Sequence, residues 1–203
     1  MKSNKAAKGE STYLILSQVR ESFGRVVYSH KVHEKQADIC FCKFRWQQGV
    51  LIGLTAIGSV TFLTEVVGLL ANRTAASLTT SLVALLVTWA SLGAKNFNYS
   101  EEAEAHRTTA SQLWSIRESY ISLITDLMSG DVPSSDAQAR RDDLQEKAYA
   151  IYSTAPRTSG RAFKRAQQGL KSNEEMTFSP YEIDLFLPKA LRLSENEVSC
   201  GNR

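Results

Sequence analysis

The side chains that are able to do chemistry or to contact ions fall into a few short groups. The most regular group consists of small and hydroxyl-bearing residues that recur at helical spacing between residues 77 and 91. A helix that faces lipid gains nothing from hydroxyl groups, so this run should face a partner helix or water. We call it the hydroxyl stripe, and we predict that it lines a pore or an interface between protomers: Ser77, Thr80, Ser81, Ala84, Thr88 and Ser91.

A single carboxylate, Glu65, lies within the apolar sequence upstream of the stripe. One interpretation is a gating carboxylate at the mouth of a pore. The alternative is an interfacial side chain that extends to the lipid headgroups or pairs with Arg73. The sequence leaves both interpretations open.

Histidine and cysteine are residue types that bind zinc, and His30, His33, Cys40 and Cys42 lie close together in the chain. However, Cys40 and Cys42 are two positions apart and point to different sides of a helix. We therefore predict no metal site and no cofactor. Cys42 lies beside a predicted membrane segment, where palmitoylation is one option and an inert apolar thiol is the simpler one.

A basic cluster near the C-terminal end contains Arg161, Lys164 and Arg165. Its ordinary explanation is a solvated helix face, and the functional alternative is a contact with a partner, a phosphate group or a nucleic acid. The net charge of +3 is too small to indicate general nucleic-acid binding. The chain has no Gly-rich phosphate loop, no His-Glu-x-x-His motif and no Gly-x-Ser-x-Gly elbow. We therefore predict no enzymatic activity and no catalytic residues.

Two apolar stretches must position these groups, residues 48–71 and 74–94, and only Asn72 and Arg73 separate them. Each is long enough for a helix to cross a hydrocarbon core of about 30 Å. The pair is predicted to form a transmembrane hairpin over residues 48–95. The positive-inside rule places both termini in the cytoplasm, because Lys and Arg flank the hairpin at Lys31, Lys35, Lys43, Arg45 and Lys95.

The first predicted span carries glycines that fall roughly along one helix face. Small residues allow two helix backbones to approach closely, so this face should pack on the second span or on a neighbouring protomer. The residues of this predicted packing face are Gly49, Gly53 and Gly68.

Helices are predicted on both sides of the hairpin, over residues 12–47 and within 96–193, with disordered tails at 1–11 and 194–203. The second span is predicted to continue without a break into a long cytoplasmic helix. Apolar residues there alternate spacings of three and four, which is typical of a coiled-coil seam between protomers or with an inhibitory partner. His106 extends this seam toward the membrane. The seam consists of Leu113, Ile116, Tyr120, Leu123 and Leu127.

The predicted fold is therefore an all-α membrane protein. A pre-membrane helix leads into a two-span helical hairpin, the second span continues into the cytoplasmic helix, and a small helical tail follows. Within that tail, two segments look familiar: Ala-Pro-Arg-Thr-Ser-Gly-Arg-Ala-Phe-Lys-Arg-Ala-Gln-Gln-Gly-Leu-Lys at residues 155–171, and Glu-Met-Thr-Phe-Ser-Pro-Tyr-Glu-Ile-Asp-Leu-Phe-Leu-Pro at residues 175–188. With the order of elements, they resemble the SLATT family, the SMODS and SLOG-associating two-transmembrane effectors of bacterial conflict systems. The resemblance covers residues 12–192.

This resemblance implies a pore-forming or membrane-disrupting effector of antiphage defence in the bacterial inner membrane. Such effectors stay silent until a partner senses infection, and then oligomerise and depolarise the membrane, which leads to abortive infection. Because no sensor domain is recognised here, a separate partner is expected. A retron-type reverse transcriptase with its RNA–DNA hybrid is favoured over a nucleotide second-messenger system.

Two other functions compete with this interpretation. The first is a non-conducting membrane anchor or adaptor that tethers a cytoplasmic partner complex. The second is a subunit of a small-ion or metabolite transporter. Transport sites usually lie near the midplane of the membrane, whereas Glu65 is the only ionisable residue inside the predicted spans.

Overall fold

A computed structural model describes residues 2–57, 59, 73–188 and 192. These residues form six helices and no strand, so the predicted all-α class is confirmed. The helices are α1 (Lys2–Ile57), α2 (Arg73–Asn96), α3 (Tyr99–Ser129), α4 (Ser134–Thr154), α5 (Gly160–Lys171) and α6 (Pro180–Phe186).

Helix α1 is the longest element and joins the predicted pre-membrane helix to the start of the predicted first span. Its 56 residues correspond to about 84 Å of helix. The helix begins at Lys2, upstream of the predicted start at Thr12, and therefore includes most of the segment predicted to be a disordered tail. Lysine and alanine are common in that segment, and both favour helix.

The core is a bundle of α1, α3 and α4. Helix α3 contributes the predicted seam, and every seam side chain is buried. Facing it are apolar side chains of the other two helices: Ile15, Val19 and Val26 of α1, and Ala137, Leu144 and Ala148 of α4. The spacing of apolar residues thus predicted the buried face correctly, and the surface that covers it comes from the same chain.

The predicted continuous helix from the second span into the cytoplasmic region is wrong. Helix α2 ends at Asn96 and α3 begins at Tyr99, with Asn98 at φ −86° and ψ 56°, outside the helical region. Asparagine favours such positions at helix ends. The Phe97 and Tyr99 rings stack at 5.7 Å, and Lys43 Nζ of α1 lies 5.1 Å from the centre of the Tyr99 ring. These contacts fix the break against α1.

The C-terminal tail docks on α1 through small side chains and charged groups. Ala162 and Ala166 of α5 are fully buried in a cluster with Val32 and Ile39 of α1. At the start of α5, the Ser159 hydroxyl donates a 2.6 Å hydrogen bond to Gln36 Oε1, and the same hydroxyl accepts from the Ala162 backbone N–H. The tail is therefore anchored at the first turn of α5.

An ion-pair cluster fixes the segment after α5. Glu175 lies 2.9 Å from the Lys31 ammonium and 2.7 Å from that of Lys35. Hydrogen bonds from Lys35 and Lys31 lower the pKa of Glu175 to about 2. The carboxylate occupies the space beside Gly169, where an added Cβ would lie 2.9 Å from Glu175 Oε2. Glycine at this position permits the close approach of the two segments.

Candidate functional site

The end of α1 and the whole of α2 expose large apolar side chains. Trp46, Leu85 and Trp89 are 74%, 64% and 78% exposed. Proteins that function in water rarely expose many large apolar groups on neighbouring helices, and such surfaces mark contacts with other proteins or with membranes. We call this the apolar surface, and it comprises Trp46, Ile52, Ile57, Leu82, Leu85, Leu86, Trp89 and Leu92.

No helix among the described residues combines the length and the hydropathy that a membrane crossing would need. The described part of the predicted first span ends at Ile57 except for Ser59, so Glu65 and Gly68 lie outside the described residues. The predicted second span falls within α2.

The hydroxyl stripe lies on an open side of α2. Ser81, Ala84, Thr88 and Ser91 are all exposed, and the Thr88 hydroxyl donates a 2.8 Å hydrogen bond to the Ala84 carbonyl. Ser77 and Thr80 lie on the same helix, but their side chains are outside the described ones. The half-buried residues of α2 follow a different line, through Val83, Val87, Ala90, Gly93 and Ala94. The stripe therefore stays accessible to water or to a second copy of the chain.

The predicted glycine packing face is not formed within the described part of the chain. A Cβ added at Gly49 or Gly53 would meet nothing within 4 Å. Gly49 is exposed and Gly53 is half-buried. Larger side chains such as Val50, Leu54 and Leu86 instead line a groove between α1 and α2. A contact between copies through this face remains a prediction.

The predicted seam lies in the interior of the bundle. Tyr120, Leu113 and Leu123 are among the largest fully buried side chains of the described chain. A second protomer or an inhibitory partner has access to this face only if the bundle opens. The role of the seam between protomers therefore stays a prediction, and its role within the protomer is that of the core.

A pair of buried histidines connects α1 and α3. His33 and His106 are 6% and 2% exposed, and their Nδ1 atoms are 2.9 Å apart, so the N–H of one ring donates a hydrogen bond to the bare nitrogen of the other. His30 lies on the same side of α1, with its Nδ1 2.9 Å from the Ala110 carbonyl oxygen. Burial and the neighbouring His106 and His30 lower the pKa of His33 to about 4, and burial lowers the pKa of His106. The pair is therefore uncharged at neutral pH.

The spacing of apolar residues places His106 on the seam and gives no sign of its contact with His33. The two residues are 73 positions apart, and no local pattern records such a contact. The described residues hold no group of three or more His, Cys, Asp and Glu side chains arranged to bind a metal ion. The pair is best understood as a polar contact that sets the register of α1 on α3.

We predict that His33 makes the bundle sensitive to acid. Its pKa is about 4 in the folded chain against an ordinary 6.5, so the unfolded chain binds more protons between these values. The free energy of unfolding should fall as the pH drops from about 6.5 to about 4, by roughly 3 kcal/mol for this group. Urea unfolding of the detergent-solubilised chain at several pH values measures this slope.

The matched variant for this measurement is His33→Gln, which keeps a polar group that does not titrate. Its unfolding free energy should depend less on pH over the same interval than that of the wild type. Identical pH slopes for the two proteins would show that His33 does not carry the effect.

The basic cluster borders the groove between α1 and α2. The groove has a volume of about 770 Å³. Arg161 and Arg165 line it, whereas Lys164 does not, and all three side chains are exposed. Lys43 of α1 lines the same end of the groove, and apolar residues form most of the rest: Ile39, Trp46, Val50, Leu51, Leu54, Leu86, Trp89, Ala90 and Phe97.

Comparison with known proteins gives one family. Residues 15–182 match the family described as SMODS and SLOG-associating 2TM effector domain family 4. No curated protein and no solved structure matches the chain.

Proposed function

The chain belongs to the SMODS and SLOG-associating 2TM effector domain family 4, a branch of the SLATT group, and on this premise we propose that it is a pore-forming effector of bacterial antiphage defence. In this proposal the effector resides in the inner membrane with both termini in the cytoplasm. The bundle of α1, α3 and α4 is the cytoplasmic part, and residues 48–95 form the two-span hairpin.

The observation that carries the proposal is the apolar surface. Most of its side chains lie on α2 or on α1 beyond Trp46, away from the core of the bundle. Their exposure in the single chain indicates contact with lipid or with other proteins, including further copies of the chain. Trp46 and Trp89 at the base of this surface are amphipathic rings of the kind enriched at membrane–water interfaces. A family of two-transmembrane effectors accounts for both features.

Conduction requires several copies, since two helices are too few to enclose a water-filled path. The exposed hydroxyl stripe provides the polar side for such an assembly, because Ser81, Thr88 and Ser91 are directed away from the protomer's own contacts. In the assembled state the stripe lines the pore or the interface next to it. Glu65 remains a candidate gating carboxylate.

In this proposal a separate protein holds the effector inactive before infection. When that partner senses infection, it triggers the effector. A retron-type reverse transcriptase with its RNA–DNA hybrid is the favoured partner, ahead of a nucleotide second-messenger system. The basic cluster is exposed and is a candidate surface for that partner or its nucleic acid. Activation then corresponds to release of the chain and its assembly in the membrane.

The test of this proposal is induced expression in bacteria, alone and with the neighbouring genes, read by a potential-sensitive dye. The proposal predicts collapse of the membrane potential in the activated state. The competing function, a non-conducting anchor for a partner complex, is favoured by the same apolar surface and predicts an intact potential under every trigger. An intact potential with the chain found in the membrane fraction would therefore contradict the pore and support the anchor.

A further inference from the structure

The groove between α1, α2 and α5 combines a basic end with apolar walls, which is the lining of a ligand site. Its volume of about 770 Å³ is within the range of pockets that hold small molecules. We propose that it binds one anionic phospholipid, with the phosphate at Arg161 and Arg165 and an acyl chain along the apolar walls. The inference rests on the proposed membrane location, and it adds a specific lipid to it.

The charged end of the groove is built by α5. Arg161 and Arg165 are four positions apart on this helix, so their guanidinium groups lie on one face. Neither has an ion-pair partner among the described residues. A guanidinium matches a phosphate group through paired hydrogen bonds. Two such groups that lack a carboxylate partner are therefore suited to a phosphate.

Lys43 adds a third positive charge at this end. Its ammonium lies over the Tyr99 ring at 5.1 Å and forms no described ion pair. The carboxylate of Glu102 lies 3.6 Å from Cys40 Sγ and does not line the groove. The charged end is consequently positive throughout the described lining.

The rest of the groove selects an amphiphile over a nucleic acid. From the level of Ile39 to that of Leu54 the α1 wall is mostly apolar, and it extends over about 22 Å of helix. Leu86, Trp89 and Ala90 of α2 form the opposite wall. A nucleic acid has phosphates for the arginines but nothing that would bury these aliphatic side chains. An anionic phospholipid satisfies both ends of the groove at once.

The position of the arginines is set by contacts on the neighbouring face of α5. Ala162 and Ala166 pack in a cluster with Val32 and Ile39 of α1, and Ser159 is bonded to Gln36. Because this face is fixed, Arg161 and Arg165 are held beside the groove before any ligand binds. A bound lipid would therefore connect the docked tail with the hairpin helices.

The experiment titrates the purified full chain in neutral detergent with phosphatidylglycerol or phosphatidylcholine and follows bound lipid by native mass spectrometry. The wild type should bind phosphatidylglycerol at least about tenfold more tightly than it binds phosphatidylcholine. The double variant Arg161→Gln/Arg165→Gln should lose this preference. The matched control, Arg157→Gln/Lys164→Gln, removes the same charge from exposed side chains that do not line the groove, and it should bind like the wild type.

A third variant, Ala90→Trp, fills the apolar part of the groove and leaves every charge in place. It should weaken the binding of both lipids. Equal phosphatidylglycerol binding by the double variant and its control would overturn the inference, as would unchanged binding by Ala90→Trp. Binding of an RNA–DNA hybrid that is lost in the double variant, with no lipid preference, would also overturn it and assign the arginines to nucleic acid.

This binding measurement is independent of conduction. A chain that binds phosphatidylglycerol but never depolarises a membrane would remove the pore and leave the lipid site. A chain that depolarises membranes without any lipid preference would remove the lipid site and leave the pore.

Discussion

Replacing Thr80 and Thr88 with leucine will abolish the triggered loss of membrane potential and leave insertion and folding intact. Thr88 is exposed, and its hydroxyl oxygen, which donates to the Ala84 carbonyl, is one of the polar atoms of the hydroxyl stripe. Leucine at these two positions removes two of the hydroxyl groups of the stripe and adds bulk on the face that we assign to the pore or to the protomer interface. The rate of depolarisation in expressing cells should fall by at least about tenfold, the change that about 1.4 kcal/mol produces.

The control for this variant makes the same chemical change outside the hairpin. Thr108 and Thr125 are exposed on α3, and Thr125 donates to the Ile121 carbonyl just as Thr88 donates to that of Ala84. Thr108→Leu/Thr125→Leu should therefore depolarise cells like the wild type. Full depolarisation by Thr80→Leu/Thr88→Leu at normal membrane levels would exclude the stripe from the conducting path.

Shortening Leu123 to alanine will destabilise the bundle by about 3 kcal/mol, within the 2–5 kcal/mol typical of buried leucines. Leu123 is 0% exposed and lies in the cluster formed by α1, α3 and α4. The loss includes the transfer energy of the deleted carbons and the cavity that they leave. Urea denaturation in detergent, monitored by the circular dichroism of the helices, measures the change in the free energy of unfolding. Leu185→Ala is the control because Leu185 is 56% exposed.

The same position separates two roles of the seam. If the seam were only a contact between protomers, Leu123→Asp would lower the oligomer size and leave a folded monomer. Because Leu123 is buried inside one chain, Leu123→Asp should instead unfold the helical bundle, since the carboxylate would be buried without a partner. A folded monomeric Leu123→Asp variant, or an unchanged urea midpoint for Leu123→Ala, would contradict this assignment.

The seam illustrates what apolar spacing records and what it omits. Alternating spacings of three and four identified Leu113, Ile116, Tyr120, Leu123 and Leu127 as one face, and all five are buried. The pattern reports that a face is buried but not which surface covers it. A coiled-coil seam and the interior of a three-helix bundle have the same signature, so the covering helices α1 and α4 could not be predicted from it.

Other features depend on contacts that no local pattern contains. The interruption at Phe97 and Asn98 involves too few residues to disturb the apolar periodicity, so a continuous helix was the natural prediction. The His33–His106 pair joins residues far apart in the chain. Arg161 and Arg165 were visible as a basic cluster, yet the groove beside them needs α1, α2 and α5 together.

The central claim, that assembled hairpins open a conducting path, is tested most directly in vesicles. The purified full chain, free of any partner, is reconstituted into vesicles that hold a potassium diffusion potential, and a voltage-sensitive dye follows that potential. We predict that the potential collapses and that the rate rises more steeply than linearly with the protein-to-lipid ratio, because several copies form one path. Vesicles that contain the inserted chain and keep their potential as long as protein-free vesicles would contradict the claim.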